Sequence, residues 1–203
     1  MKKIASFLLI AGVCLTQACG NGSNNDGNTD SAGTSQAAGT DTTSMSSDTS
    51  AGTSSISSTP LGKDDSTFAM KAAMGGMMEV QLGQIAQQKA SDQRVKDFGS
   101  MMVQDHSAAN DELKRLTSAK NLTLPTTLND KHQKEIDDLN KKSGTDFDKA
   151  YMKMMVDDHE KDIKEFEKAG NDAKDPDLKS FVMKTLPTLQ KHLDSAKAIS
   201  GKK

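Results

Sequence analysis

The chain has 203 residues, a formal net charge of −2, 27% charged residues and only 3% aromatic ones. A balance this close to neutral lacks the basic footprint of a nucleic-acid binder. No Gly-rich phosphate loop, cysteine metal cluster or nucleophile with a local base pattern is present either, so the sequence does not announce an enzyme.

The chain opens MKKIASFLLIAGVCLTQAC, with two lysines, an apolar run from Ile4 to Val13, and small and polar residues before Cys19. This is the pattern of an export signal over residues 1–18, and the run is shorter than the ~20 apolar residues a permanent span needs. Leu15 and Ala18 before Cys19 resemble a bacterial lipoprotein signal, which implies lipidation of Cys19 and a membrane anchor. The resemblance also implies an outer-membrane location, facing the periplasm or the cell surface; plain secretion is the alternative. Cleavage removes Cys14, the only other cysteine, so the folded part is expected to lack a disulfide and to rely on a hydrophobic core. Residues 19–63 read mostly as Gly, Ser, Thr, Asn and Asp without a period. Such a segment buries too little apolar surface to offset its ordering entropy and acts as a tether with a span of ~35 Å.

From Asp64 the composition turns to Ala, Lys, Gln, Glu, Leu and Met, and residues 64–200 are expected to form one all-α domain. The first helix is expected from Ser66 to Ala90, with Ser91-Asp92 as the break. The second runs from Gln93 to Lys120 and stops at Asn121 to Pro125. A short third helix, Thr127 to Lys142, ends at Ser143-Gly144, where glycine can take the left-handed cap. The fourth begins at Thr145 or Asp146 and ends at Gly170. Asp175-Pro176 opens the fifth, with proline in the first turn. Pro187 falls inside that helix and removes the partner of the Met183 carbonyl, which predicts a kink.

Each long helix offers one candidate inward polar residue on or beside its apolar stripe. In the first it is Glu79, between Gly75 and Leu82. The second repeats as the fourth, MMVQDH at Met101 to His106 against MMVDDH at Met154 to His159. His159 faces inward with Tyr151, Met155 and Phe166, whereas His106 sits at the stripe boundary with Asp105 on the opposite edge. Asp158 is expected to turn away to solvent. His192 lies within the last stripe, Leu178, Val182, Thr185, Leu189, Ala196 and Ile199. Both repeated histidines fall ~20 Å along their helices, so they share a level only if those helices run parallel. That requires residues 121–144 to cross back along the domain.

The doubled hexamer, the FDKAY before its second copy and LPTLQKH ending at His192 resemble the bacterial exported domain-of-unknown-function family four-one-four-two, over about Ser66 to Ile199. The resemblance implies a ferritin-like four-helix bundle with an additional short crossover helix, and a distant similarity to exported, Met-rich, His-bearing proteins associated with copper. It implies no activity and no catalytic residue. Iron-binding ferritin-like proteins place Glu three residues before His on two helices, whereas Val103, Val156 and Leu189 stand there in this chain. A dinuclear carboxylate centre, and with it ferroxidase or oxygenase chemistry, is not expected.

Two readings stay open. One is a single Zn, Cu or Fe ion held by Glu79, His106, His159 and His192, with Asp105 and Asp158 orienting neighbouring imidazoles. The other is a metal-free interaction or structural module of the cell envelope, its histidines satisfied separately at the core edge and its protein partner unspecified. The methionines divide the same way, as soft core filler or as thioether ligands to Cu(I), with Met74 and Met77 the best local pair. His132, on the short helix, reads as exposed.

Overall fold

The computed structural model describes residues 56–201; the expected export signal, Cys19 and its anchor, and the tether up to residue 55 lie outside the described residues. The described residues contain five helices and no strand: α1 Lys63–Lys89, α2 Gln93–Ala119, α3 Asp130–Asn140, α4 Gly144–Asp172 and α5 Pro176–Ser200. None of them is long and apolar enough to cross a membrane.

Helix starts follow side-chain chemistry. Asp92 accepts from the Arg94 amide, Asn129 from the His132 amide, and Asp175 from the amides of Asp177 and Leu178 with Pro176 in the first turn. Each cap satisfies donors that the helix leaves unpaired, an effect of ~1 kcal/mol apiece. Two expectations about helix ends need correction. Gly144 does take a positive φ of 56°, but as the first residue of α4, while α3 has already closed at Lys141. Gly170 does not end α4: it is buried inside it, where an added Cβ would lie 3.3 Å from Met183 Sδ, and the helix runs on to Asp172. Helix α5 passes unbroken through Pro187, which is exposed, so the orphaned Met183 carbonyl lies on a solvent-facing stretch.

Four long helices surround one core as two antiparallel hairpins, α1 with α2 and α4 with α5. The contact register gives the directions. Pairing Gly83 with Gly99 and Gly76 with Asn110 runs α1 against α2. Asp105 with His192 and Glu112 with Lys184 run α2 against α5. Phe98 with Tyr151 and His106 with His159 step in the same sense, so α2 and α4 are parallel. The chain achieves this by crossing back through residues 120–143, with α3 packed on α1 and α4.

Two buried carboxylates pin the hairpins to each other. Asp148, in the first turn of α4, accepts from the backbone amides of Ser91 and Asp92 at 3.0 and 2.9 Å. At the other end Asp65 of α1 accepts from the amides of Lys174 and Asp175 at 3.1 and 2.9 Å. Each bond ties a turn of one hairpin to a helix of the other, and together they fix the axial register on which everything at mid-height depends. Lys120, fully buried, adds a third tie by donating to Asp175, Asp177 and the Ser57 carbonyl.

Candidate metal centre

Helices α1 and α2 approach closely because glycine faces glycine. A Cβ on Gly83 would sit 2.6 Å from the Gly99 carbonyl oxygen, and one on Gly99 would sit 2.8 Å from that of Gly83. That approach carries Glu79, one turn before Gly83, against His106 of α2. The Glu79 carboxylate lies 3.0 Å from His106 Nδ1 through Oε2 and 3.5 Å from His159 Nδ1 through Oε1. His192 of α5 closes the group from the opposite side, with Nδ1 3.3 Å from His159 Nε2. Ring centroids are 5.7 Å apart for His106 and His159, 5.2 Å for His106 and His192, and 5.3 Å for His159 and His192.

All four residues lie in the core. Glu79 is 2% exposed, His106 6%, and His159 and His192 0%. His106 is therefore not at a stripe boundary, because the close α1–α2 approach seals the edge that the sequence left open. One nitrogen from each histidine lies within 4.8 Å of the other two, and Glu79 is not part of that convergent set.

Hydrogen bonds decide the tautomers. His159 Nδ1 is 2.8 Å from the Met155 carbonyl oxygen, which can only accept, so Nδ1 carries the hydrogen and Nε2 presents a lone pair. His192 Nε2 donates to Asp105 Oδ2 at 2.8 Å, leaving a lone pair on Nδ1. Those two lone pairs face each other across 3.3 Å with no hydrogen between them. His106 donates through Nδ1 to Glu79, and its Nε2 is buried without a hydrogen-bond partner.

Burial and charge shift every group present. Burial acts to raise the Glu79 carboxyl, but the three imidazoles outweigh it and hold it well below the usual carboxylate range. Burial likewise lowers His106, but the charge and hydrogen bond of Glu79 prevail and its pKa is raised. His159 is lowered, chiefly by burial, and His192 is pulled down to about 4 by burial despite its bond to Asp105. Metal-free, this is one protonatable imidazole beside two held neutral.

The two aspartates of the repeats do not have equivalent roles. Asp105 orients His192 rather than its neighbour His106. Asp158 is half-buried rather than turned to water, its Oδ2 is buried without a hydrogen-bond partner, and burial followed by the charges of Glu79 and Glu135 pushes its pKa to about 6. His132 is half-buried rather than exposed, with Nδ1 buried and unpartnered. Sequence reasoning missed Asp162, whose carboxyl is pushed up to about 8 by burial and then by Glu79 and Asp158. Its signal was the step of four from Asp158, which puts both on one side of α4, but KDIKEFEK reads as a solvated face. The Met74 sulfur lies 2.9 Å from Asn129 Nδ2, at the start of α3.

Fold and cluster together define an all-α protein with three buried imidazoles aimed at one point. The model of the family described as "Domain of unknown function (DUF4142)" matches residues 50–199, and the chain belongs to that family. It is similar in structure to the crystal structure of a DUF305 fragment from Deinococcus radiodurans, at a TM-score of 0.62 and 9% identity, over 70% of this chain and 98% of that one. At that identity the likeness concerns the fold alone. No curated protein matches the sequence.

Proposed function

We propose that the chain binds a single transition-metal ion through His106 Nε2, His159 Nε2 and His192 Nδ1. The observation that carries this reading is the pair of lone pairs facing each other across 3.3 Å between two fully buried imidazoles. Two imidazole nitrogens at ~2.05 Å from an ion and separated by a tetrahedral angle stand ~3.3 Å apart. Each ligand's other nitrogen donates to an acceptor: Glu79 for His106, the Met155 carbonyl for His159, Asp105 for His192. Metal-bound histidines are oriented in this way almost without exception. Glu79 thus acts by orienting His106 and balancing charge, and the fourth position is left for water or a small ligand.

Three neutral imidazoles suit Zn, Cu or Fe. Metal-free, the proton of His106 supplies the cation this pocket requires, and the ion displaces it. Burial of all three ligands favours binding, buffering or storage over turnover of an organic substrate. The helical arrangement, two hairpins with a crossover that makes α2 and α4 parallel, supports a ferritin-like bundle, one that holds a mononuclear imidazole centre. The N-terminal lysines, apolar run and Cys19 support an exported lipoprotein anchored in the envelope through Cys19, with the segment between Cys19 and Ser57 as its tether.

The test is metal analysis of untagged protein after growth with Zn, Cu and Fe, followed by titration of the metal-free form. One ion per chain, lost in His106→Ala and His159→Ala, is the expected result. Protein that carries no metal and shows no affinity for any of the three is instead a metal-free module.

A further inference from the structure

The geometry points to a loading port for a hydrated divalent cation on the α1–α3–α4 side of the domain, ending at Glu79 and Asp162. This rests on the metal reading above. A cavity of about 290 Å³ opens there, lined by Glu79, Glu135, Asp158, Asp162 and His132 among others. A second, inner cavity of about 40 Å³ touches His106 and the α5 residue Leu189, one turn from His192. The two share Lys71, Gly75, Glu79, Asp162 and Glu165 as walls, so the outer space adjoins the inner one at three carboxyl groups and a lysine.

Unsatisfied polar atoms mark the same path. Five buried side-chain atoms among the described residues lack a hydrogen-bond partner. Glu79 Oε1, Asp158 Oδ2 and His132 Nδ1 line the outer cavity, and His106 belongs to the inner one. Buried oxygens and nitrogens without partners are costly unless water or an ion visits them, and Glu79 is 2% exposed. The outer walls carry five carboxyl groups beside three lysines, counting Glu165 with the four above, and an entering ion can exchange its waters for their oxygens.

Volume separates the roles of the two spaces. A water needs ~10–15 Å³ of such volume, so the inner cavity holds about three waters whereas the outer one admits an ion with its full shell. The ion therefore enters hydrated, exchanges waters for oxygens of Glu79 and Asp162, and reaches the imidazoles largely dehydrated.

Gly75 gives a clean test. It lines both cavities, and a Cβ there would meet nothing within 4 Å. Gly75→Leu fills the passage without touching a ligand, and leucine is a better helix former than glycine. Co(II) association with metal-free protein is followed by stopped-flow absorbance, beside an equilibrium titration and circular dichroism. The expected result is an association rate at least tenfold slower with unchanged equilibrium affinity, because a plugged route slows entry and exit alike. Gly75→Ala should fall between. Wild-type rates in Gly75→Leu overturn the port while leaving the metal site standing. Absence of equilibrium binding in the wild type overturns the metal reading itself.

Discussion

Glu79→Gln separates an orienting carboxylate from a ligand. Glu79 accepts from His106 Nδ1 at 3.0 Å and faces His159 Nδ1 at 3.5 Å, and both nitrogens carry hydrogens in the arrangement described. Glutamine is nearly isosteric but has one accepting oxygen, so its amide group must point an N–H at one of two N–H groups. One imidazole then tilts or changes tautomer, which turns an inner lone pair into an N–H and removes a donor from the ion. Loss of an outer partner of this kind costs 10–100-fold in affinity, or about 1.4–2.7 kcal/mol. The assay is competition for Zn(II) against a chromophoric chelator, with the Co(II) spectrum reporting coordination. A tenfold to hundredfold loss with a Co(II) spectrum of unchanged form fits the outer role. If Glu79→Gln abolishes binding as completely as His159→Ala and changes the Co(II) coordination, Glu79 is itself a ligand and the tautomer argument is wrong. If affinity does not change, Glu79 does not orient His106 at all.

Three further outcomes follow from the same geometry. Gly83→Ala places a Cβ 2.6 Å from the Gly99 carbonyl oxygen, so α1 must move off α2. Chemical denaturation should show a loss of ~1–3 kcal/mol from overpacking, less the ~1 kcal/mol gained in helix propensity, with weaker Zn(II) binding as Glu79 leaves His106. Lys120→Ala strands Asp175 and Asp177; breaking a buried pair should cost ~3 kcal/mol and lower the melting temperature by about 10 °C, leaving metal affinity intact. The third outcome concerns Asp162, raised from 3.8 to about 8 in the fold by burial, Glu79 and Asp158. Its contribution to stability is fully present below pH 3.8 and lost progressively as pH rises to about 8. Metal-free Asp162→Asn should therefore match wild type near pH 4 and exceed it by several kcal/mol at pH 8, measured with chelator present.

Legibility in the sequence followed how local the cause was. Apolar spacing placed the stripes of the long helices, and Asp175-Pro176 announced the start of α5, because those signals act within a turn or two. The depth of His106 and His159 along their helices also showed that they could share a level only with those helices parallel and a crossover between them. What escaped was set by contacts between distant segments. Whether His106 lies at an edge or in the core depends on how near α1 comes, which two glycines on different helices decide. Asp65, Lys120 and Asp148 look like ordinary helix charges until the turns they bind are brought to them. Asp105 serves a histidine on α5, and nothing in the order of residues indicates that. Asp158 and Asp162 look like a solvated face because α3, which covers that side with α1, is placed by a long crossover.

The repeated hexamer gains a physical meaning from the directions of the helices. Because α2 and α4 run parallel, Phe98 meets Tyr151 and His106 meets His159, each residue facing its own counterpart. The flanking helices complete the relation: α1 packs mainly on α2 and touches α4, while α5 packs mainly on α4 and touches α2. Glu79 and His192 thus occupy equivalent stations on opposite sides of the histidine pair, and the chain has filled them differently. The carboxylate on the α1 side takes the Nδ1–H of His106 and lies 3.5 Å from Nδ1 of His159, whose hydrogen goes to the Met155 carbonyl. Their Nε2 lone pairs are thereby turned to the α5 side, where His192 adds a third. Two carboxylates at these stations would leave one acid to orient the pair and another to bind beside it. Two imidazoles would leave the central Nδ1–H groups without a charged acceptor. One of each gives a single three-nitrogen pocket with a defined open side, and this asymmetry is why a near-duplicate motif should hold one ion and not two.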